Sequence, residues 1–374
     1  MRVLVTGGGG FIGSHLVDAL LARGRAVRVF DTLEPDVHGP DARPALVPPE
    51  AEFVRGDVRD ADALWQAVRD ADAVAHLAAA VGVGQSMVDI VKFTAVNTLG
   101  TATLLELLTR RRHRVGKVVV ASSMSVYGEG AYRCRACGPV HPGPRDPARL
   151  ARGLWEMPCP LCGADTEPLP IPETKPLRPI SVYGMTKRDQ EELALIVGRA
   201  SGLPVTALRF FGVYGPRQSL ANPYSGIVAI FIARILHGEP PPVFEDGLEQ
   251  RDFVHVRDVV QACLLALERP ETDHQVFNVG TGVGTSILHL AGLLCEALGA
   301  AVRPELCGRY RVGDVRHGVA DIGRLRALGY LPRVALADGL RELVAWARTH
   351  PQLGALLDRH ARQRDVALAR GVPV

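Results

Sequence analysis

The sequence has no run of about eighteen apolar residues that could span a bilayer, and its start lacks the basic, apolar and small-residue stages of a signal peptide. A cytoplasmic protein without membrane contact is therefore expected. It also lacks an excess of either charge. Its 43 basic and 40 acidic residues leave a formal net charge of +3, which argues against a nucleic-acid binder built on a broad cationic face but allows a small anionic ligand. Neither an internal repeat nor a low-complexity tract is present. With only seven cysteines and a reducing compartment expected, disulfides are not. Of the isolated cysteines, Cys263 and Cys295 lie in apolar helical stretches and read as buried filler, and Cys307 stands alone.

What is present is enough for a large core. The chain has 374 residues, 47% of them hydrophobic, with 39 glycines, which predicts more than one lobe. "RVLVTG" at 2–7 reads as a buried strand, followed by glycines, a helix through "FIGSHLVDALLARG" and a second strand, "AVRVFD" at 26–31. Strand and helix pairs continue through "EFVRGD" with "DALWQAVRDA", "AVAHLAA" with a helix through "FTAVNTLGTATLLELLTRR", and "KVVVASS". This alternation predicts an α/β fold, a doubly wound parallel sheet of Rossmann type with helices on both faces.

The glycines carry the first functional signal. Gly7, Gly10 and Gly13 stand in strand-turn-helix context, where they allow a tight turn, close approach of backbone to a pyrophosphate and close packing of helix on strand. Asp31 ends the second strand, where a carboxylate accepts from both hydroxyls of an adenosine ribose and repels a 2′-phosphate. The next residue is Thr32 rather than an Arg, so NAD is expected over NADP. Asp57, after the third strand, could accept from an adenine amino group or serve as a plain turn residue.

"YGMTK" places Tyr183 and Lys187 one helical turn apart. A phenol of pKa near 10 is a poor base at neutral pH, but a neighbouring ammonium and a cationic nicotinamide ring both favour the phenolate; a shift of about three units corresponds to roughly 4 kcal/mol. "ASSMSVYG" delivers Ser122 or Ser123 to the carboxyl edge of the sheet, where a hydroxyl can hydrogen-bond the substrate group that the tyrosine deprotonates.

Together with "VTGGGGFIGSHL", "GDVRD", "HLAA", "VNTLGT", "YGPRQ", "RDFVHVRDV", "NVGTG" and "GDVRH", these stretches resemble the extended short-chain dehydrogenase/reductase enzymes, specifically the NAD-dependent nucleotide-sugar epimerase/dehydratase group. The resemblance covers about 1–130 and 170–345. It implies that Ser123, four residues before Tyr127, is the catalytic serine, that Tyr183 is the acid/base, and that Lys187 binds the nicotinamide ribose and tunes the tyrosine. The same carry-over makes Gly7, Gly10, Phe11, Ile12, Gly13, Asp31, Asp57, Val58, Leu77, Ala78, Ala79 and Asn97 the cofactor site. Arg251 and Arg316 match positions that often contact a sugar-nucleotide pyrophosphate; by spacing alone each is equally a surface ion-pair partner. A homodimer through a helical bundle is implied as well.

Members of this group oxidise C4 of the sugar to a bound ketone. Family dehydratases place adjacent Asp and Glu after the catalytic hydroxyl residue, and here those positions are Met124 and Ser125. A related decarboxylase uses Glu at the second of them. The fate left is return of the hydride to the opposite face, which is 4-epimerisation; a dehydratase with its acid or base elsewhere, a 4-ketoreductase and a catalytically silent NAD-binding sensor are the alternatives. Gly212 departs from the pattern, since many epimerases have Asn there.

Two further stretches, "CRACG" and "CPLCG", have no place in cofactor binding. Cys134 and Cys137 are separated from Cys159 and Cys162 by 21 intervening residues, the pattern of a four-thiolate structural zinc site built from two knuckles; redox pairs are the competing reading. Gly138 and Gly163 suit the tight turn after each knuckle. Zinc would order a proline-rich segment too polar to build its own core. Its arginines, Arg133, Arg135, Arg145, Arg149 and Arg152, face either an anion or solvent. The expected organisation is an NAD-binding Rossmann domain at 1–210, interrupted by a zinc-binding insertion at 130–172. A mainly substrate-binding lobe follows at 211–350, with 275–280 returning to the sheet, and a charged tail at 351–374.

Overall fold

Runs such as Val118–Ser123 and Val205–Phe210 are mostly apolar and buried at every position, as strands covered on both faces must be. They lie side by side in a seven-stranded sheet. Its order is Gln275–Val279, Val205–Phe210, Val118–Ser123, Ala73–His76, Arg2–Thr6, Ala26–Asp31, Glu52–Arg55, every neighbouring pair parallel. The structure, a computed structural model, describes residues 1–38, 44–219 and 226–349; the tail expected at 351–374 lies outside them. No helix among the described residues is long and apolar enough to cross a membrane.

The strand order reverses beside Arg2–Thr6: the chain first runs outward to Glu52–Arg55, then crosses back to Ala73–His76 and onward. Ligands of open α/β sheets bind at such a switch point, beyond the carboxyl ends of the strands. The helix read as continuous through 93–111 is interrupted: Ile90–Phe93 and Gly100–Arg110 are α-helical, but Thr94–Leu99 forms a π-helical turn. Such turns concentrate at functional sites, and this one carries Asn97.

The smaller lobe packs helices Ile227–Leu236, Ile287–Leu298 and Leu336–Thr349 around a core containing Phe231, Ile232, Leu290, Leu294 and Leu343. Asp252 ties this lobe to the sheet. Its fully buried carboxylate accepts from Thr281 N and Oγ1 (both 2.7 Å), Gly282 N (2.9 Å) and Ala320 N (3.2 Å).

The insertion has more structure than its proline content suggests. Ala131–Cys134 pairs antiparallel with Gly138–Val140 on one side and Thr166–Leu169 on the other. Strands of three or four residues carry too little alternation to be recognised from sequence. They enclose a small core of Tyr132, Cys134, Val140, Met157 and Cys159. Glu129, buried at the entry to this sheet, accepts from Gly130 N (2.8 Å), Tyr132 Oη (2.8 Å) and Arg316 N (2.9 Å), so the insertion begins by gripping the substrate lobe.

Candidate active site

The glycine turn is shaped by contact rather than by flexibility alone. Gly7 has φ +72°, and a Cβ there would lie 2.8 Å from Ala78 N; one on Gly13 would lie 2.2 Å from Gly7 O. The backbone therefore packs where any side chain would force it apart. The helix Phe11–Ala22 starts at Gly10 without a side-chain cap, so its first amides, including those of Phe11 and Ile12, face the cradle with the positive end of the helix dipole. Asp31 closes the rim, accepting from Gly9 N (2.9 Å) and Leu33 N (2.8 Å). These residues fit the diphosphate and ribose of a dinucleotide.

Around that cradle, Leu77, Ala78 and Ala79 follow the strand Ala73–His76. Asn97 is fully buried; its Oδ1 accepts from Ala80 N (2.7 Å) and its Nδ2 donates to Thr186 Oγ1 (3.0 Å). Val58 is buried against Gly100, where a Cβ would lie 2.5 Å from Val58 Cγ2. Asp57 turns to Arg59 (2.5 Å), whose hydrogen bond holds its carboxyl below the usual range.

The helix Val182–Ser201 begins at Ser181, which accepts from Gly184 N (3.0 Å), and Ser86 Oγ accepts from Tyr183 N (2.9 Å). The Tyr183 ring meets Phe93 edge-on at 6.3 Å. Burial of its hydroxyl, only partly offset by a hydrogen bond with Ser123, leaves the phenol pushed up to about 12. Lys187, buried with Nζ donating to Ala121 O (2.9 Å), is pushed by burial down to about 7. Both shifts express one cost, that of holding an isolated charge in a dry pocket.

The two serines separate because neighbouring strand residues face opposite ways. Ser122 Oγ donates to Glu191 Oε2 (2.7 Å), beneath a buried bidentate pair between Glu191 and Arg209. Ser123 Oγ instead accepts from Ser125 Oγ (2.9 Å) at the strand end and reaches Tyr183. Arg251 and Arg316 meet carboxylates. Arg251 donates to Asp314 Oδ1 (3.0 Å) and Val315 O (2.8 Å). Arg316, with no exposed side-chain surface, meets Glu156 (2.5 Å), Glu245 (3.0 Å) and Asp246 (2.8 Å).

The NAD dependent epimerase/dehydratase family model matches residues 3–147 and 159–280. The chain belongs to this family. It is 38% identical to dTDP-L-rhamnose 4-epimerase of Burkholderia thailandensis, over 92% of this chain and 94% of the relative. It is 32% identical to dTDP-glucose 4,6-dehydratase of an Actinoplanes species, over 93% and 98%. The crystal structure of Thermus thermophilus UDP-glucose 4-epimerase in complex with NAD matches with a TM-score of 0.74 and 34% identity, covering 93% of this chain and 99% of that one.

In this family member the four cysteines of the insertion converge, all four Sγ atoms lying within 4.8 Å of one another and those of Cys134 and Cys162 3.6 Å apart. Tetrahedral zinc with bonds of about 2.3 Å needs sulfurs roughly 3.8 Å apart, so the set fits that ion. Gly138 and Gly163 have φ of +76° and +77°, the left-handed turn each knuckle requires. Amides of Leu161 and Cys162 donate to the Cys159 sulfur. Of the insertion's arginines, Arg145 is not at the surface; it forms a buried bidentate pair with Glu245 (2.5 and 2.8 Å).

Sequence reasoning missed Ser86 and Thr186, which fix the helix carrying Tyr183, and the acidic cluster around Arg316. Thr186 stands inside "YGMTK", but its partner Asn97, like the partners of Ser86 and Arg316, lies far away in the chain. Glu249, 3.7 Å from Arg316, leaves Oε2 without a hydrogen-bond partner among the described residues, and burial pushes its carboxyl from 4.5 up to about 7. A raised folded pKa means that the native state binds the extra proton, so Glu249 progressively subtracts stability as pH rises from 4.5 to about 7. Glu249→Gln is therefore expected to raise Tm by about 2–4 °C at pH 8, with no gain at pH 5, in paired thermal melts.

Proposed function

We propose that this chain is an NAD-dependent nucleotide-sugar 4-epimerase. The observation that carries this reading is Tyr183 beside Ser123 at the carboxyl edge of the sheet, with Lys187 one helical turn from the tyrosine and with Met124 and Ser125 where a dehydratase of this family would hold carboxylates. Met124 is turned against Gly318, where an added Cβ would lie 2.5 Å from Met124 Cε, so the neighbour of the serine offers the sugar an apolar thioether.

Tyr183 takes the proton of the C4 hydroxyl as the C4–H bond breaks, and Ser123 holds that oxygen by a hydrogen bond. Bound NAD supplies the hydride acceptor, and later the donor, together with a positive charge beside the phenol. Lys187 adds an ammonium one turn away, and the low polarity around both residues strengthens that attraction. Tyr183 returns the proton after the 4-keto sugar has presented its other face. Arg251 and Arg316 bind the substrate diphosphate, for which a bidentate guanidinium is suited.

Four-thiolate zinc at Cys134, Cys137, Cys159 and Cys162 completes the insertion. With no open coordination position, the ion is structural. A homodimer forms through the face carrying Val83, Met87, Val88, Ile90, Val91 and Ile196, each about half or more exposed, an apolar area that a monomer would leave in water.

The test is incubation of purified protein with UDP-, GDP-, dTDP- and CDP-sugars in deuterated water, with products separated and weighed. A dTDP-6-deoxyhexose is the first choice, given the rhamnose-epimerase relative and the apolar Met124. Expected is a C4 epimer of unchanged mass. A product lighter by one water, absorbing as a 4-keto-6-deoxy sugar, would replace the reading with dehydration, and deuterium at C3 or C5 would show inversion at a second centre.

A further inference from the structure

The contacts of Arg316 are unusual for a residue assigned to an anionic substrate. Its guanidinium is fully buried and already carries several carboxylates: Asp246 through two bonds (2.8 and 2.9 Å), Glu245 (3.0 Å) and Glu156 (3.0 and 2.5 Å). These are not equivalent. Asp246 and Glu245 belong to the substrate lobe, and Glu245 is also neutralised by Arg145. Glu156 comes from the insertion, within the stretch 148–158 that the family match leaves out, and its side chain is 54% exposed. Its second oxygen meets His317 Nε2 (3.2 Å).

Charge and position make Glu156 the exchangeable arm. Two guanidinium groups, Arg145 and Arg316, face Glu156, Glu245, Asp246 and Glu249. When Glu156 leaves, Arg316 keeps its bidentate bond to Asp246 and no uncompensated cation is stranded, the event that makes breaking a buried pair costly. Being half in water, Glu156 also regains hydration at little cost. Gly318, two residues along the strand from Arg316, touches Met124 beside the catalytic serine; at about 3.3 Å per residue, the Arg316 backbone is roughly 7 Å from that contact. That is a suitable separation between a sugar ring and the phosphates attached to it.

The segment carrying Glu156 has room to move. A cavity of about 160 Å³ lies behind it, lined by Leu150, Leu154, Trp155 and Met157, and Gly153, with φ +70°, precedes it. Trp155 rests on Tyr310 with ring centroids 6.1 Å apart, so a swing of Glu156 would change the surroundings of an indole.

We propose that Glu156 is an internal substitute for the substrate diphosphate: it occupies Arg316 in the free enzyme and is displaced when a nucleoside diphosphate sugar binds, making the insertion a latch released by the substrate. This rests on the epimerase reading only in assigning the diphosphate to Arg316. The latch selects for a ligand whose charge outcompetes a carboxylate, so a diphosphate opens it better than a monophosphate.

Calorimetric titration of the full-length, NAD-loaded enzyme with dTDP, UDP and the corresponding monophosphates tests it, comparing wild type with Glu156→Gln. The amide keeps the shape and removes the competing charge, so Kd for the preferred diphosphate is expected to fall about tenfold, with a smaller change for the monophosphate. Diphosphate binding should also change tryptophan fluorescence in the wild type, and this signal should vanish in Trp155→Phe. Equal or weaker diphosphate binding by Glu156→Gln, with wild-type binding intact, would overturn the latch alone. Absence of diphosphate binding in both proteins would overturn the substrate reading and the latch with it. Should Glu156→Gln fail to fold, Glu156→Asp, which shortens the arm, is expected to tighten binding in the same direction, and weaker binding would count against the proposal.

Discussion

Tyr183→Phe is expected to lower kcat for epimerisation by about 10³-fold while leaving bound NAD and thermal stability close to wild type. Only a hydroxyl is removed. The ring stays against Phe93, and the helix start stays fixed by Ser181 and by Ser86 on the Tyr183 amide. The magnitude follows from what the phenol must do. Burial, partly offset by Ser123, places it at about 12, so serving as a base near neutrality requires roughly 7 kcal/mol of differential stabilisation, against roughly 4 for a solvent-exposed phenol. Lys187 faces the converse cost, being pushed down to about 7. The ammonium and a bound cationic cofactor would therefore both have to stabilise the phenolate for Tyr183 to act as the base. Initial rates from separated epimers, with NAD measured after denaturation, provide the check. Activity within about tenfold of wild type would remove Tyr183 from the acid/base role.

Cys159→Ser is expected to release zinc and raise KM for the nucleotide sugar at least about tenfold, with NAD content unchanged. Cys159 belongs to the small core of the insertion together with Tyr132 and Met157, an assembly too small to order forty residues by hydrophobic burial alone. Structural zinc contributes roughly 10–16 kcal/mol to such modules. Its loss would free the segment that delivers Arg145 to Glu245 and Glu129 to the Arg316 amide, contacts that hold Arg316 in place whether or not Glu156 is released. None of these contacts touches the glycine cradle around Gly7 and Gly13. Metal analysis alongside steady-state kinetics decides the matter; a variant that retains both zinc and wild-type KM would overturn it.

The parallel sheet was readable because its strands are apolar runs alternating with amphipathic helices, and local composition alone specifies that pattern. The cradle was readable for a similar reason. Gly7 and Gly13 stand where no side chain fits, and Asp31 ends the adjacent strand at a fixed spacing. Tyr183 and Lys187 lie one helical turn apart, and the two Cys pairs announce themselves by spacing. The three strands of the insertion were hidden, because runs of three or four residues interrupted by proline leave no period to detect.

The sequence by itself therefore determined the fold class, the dinucleotide cradle and the identities of the candidate chemical groups, all of which depend on residues near one another in the chain. Tertiary structure alone decided how those groups are presented: Ser122 turned to Glu191 and Ser123 toward Tyr183, Asn97 locked on a π-helical turn against Thr186, and Arg316 enclosed by Glu156, Glu245 and Asp246. The enclosing pairs span 70 to 160 positions. Buried charges must find their partners wherever the fold brings them, and sequence spacing carries no record of that requirement.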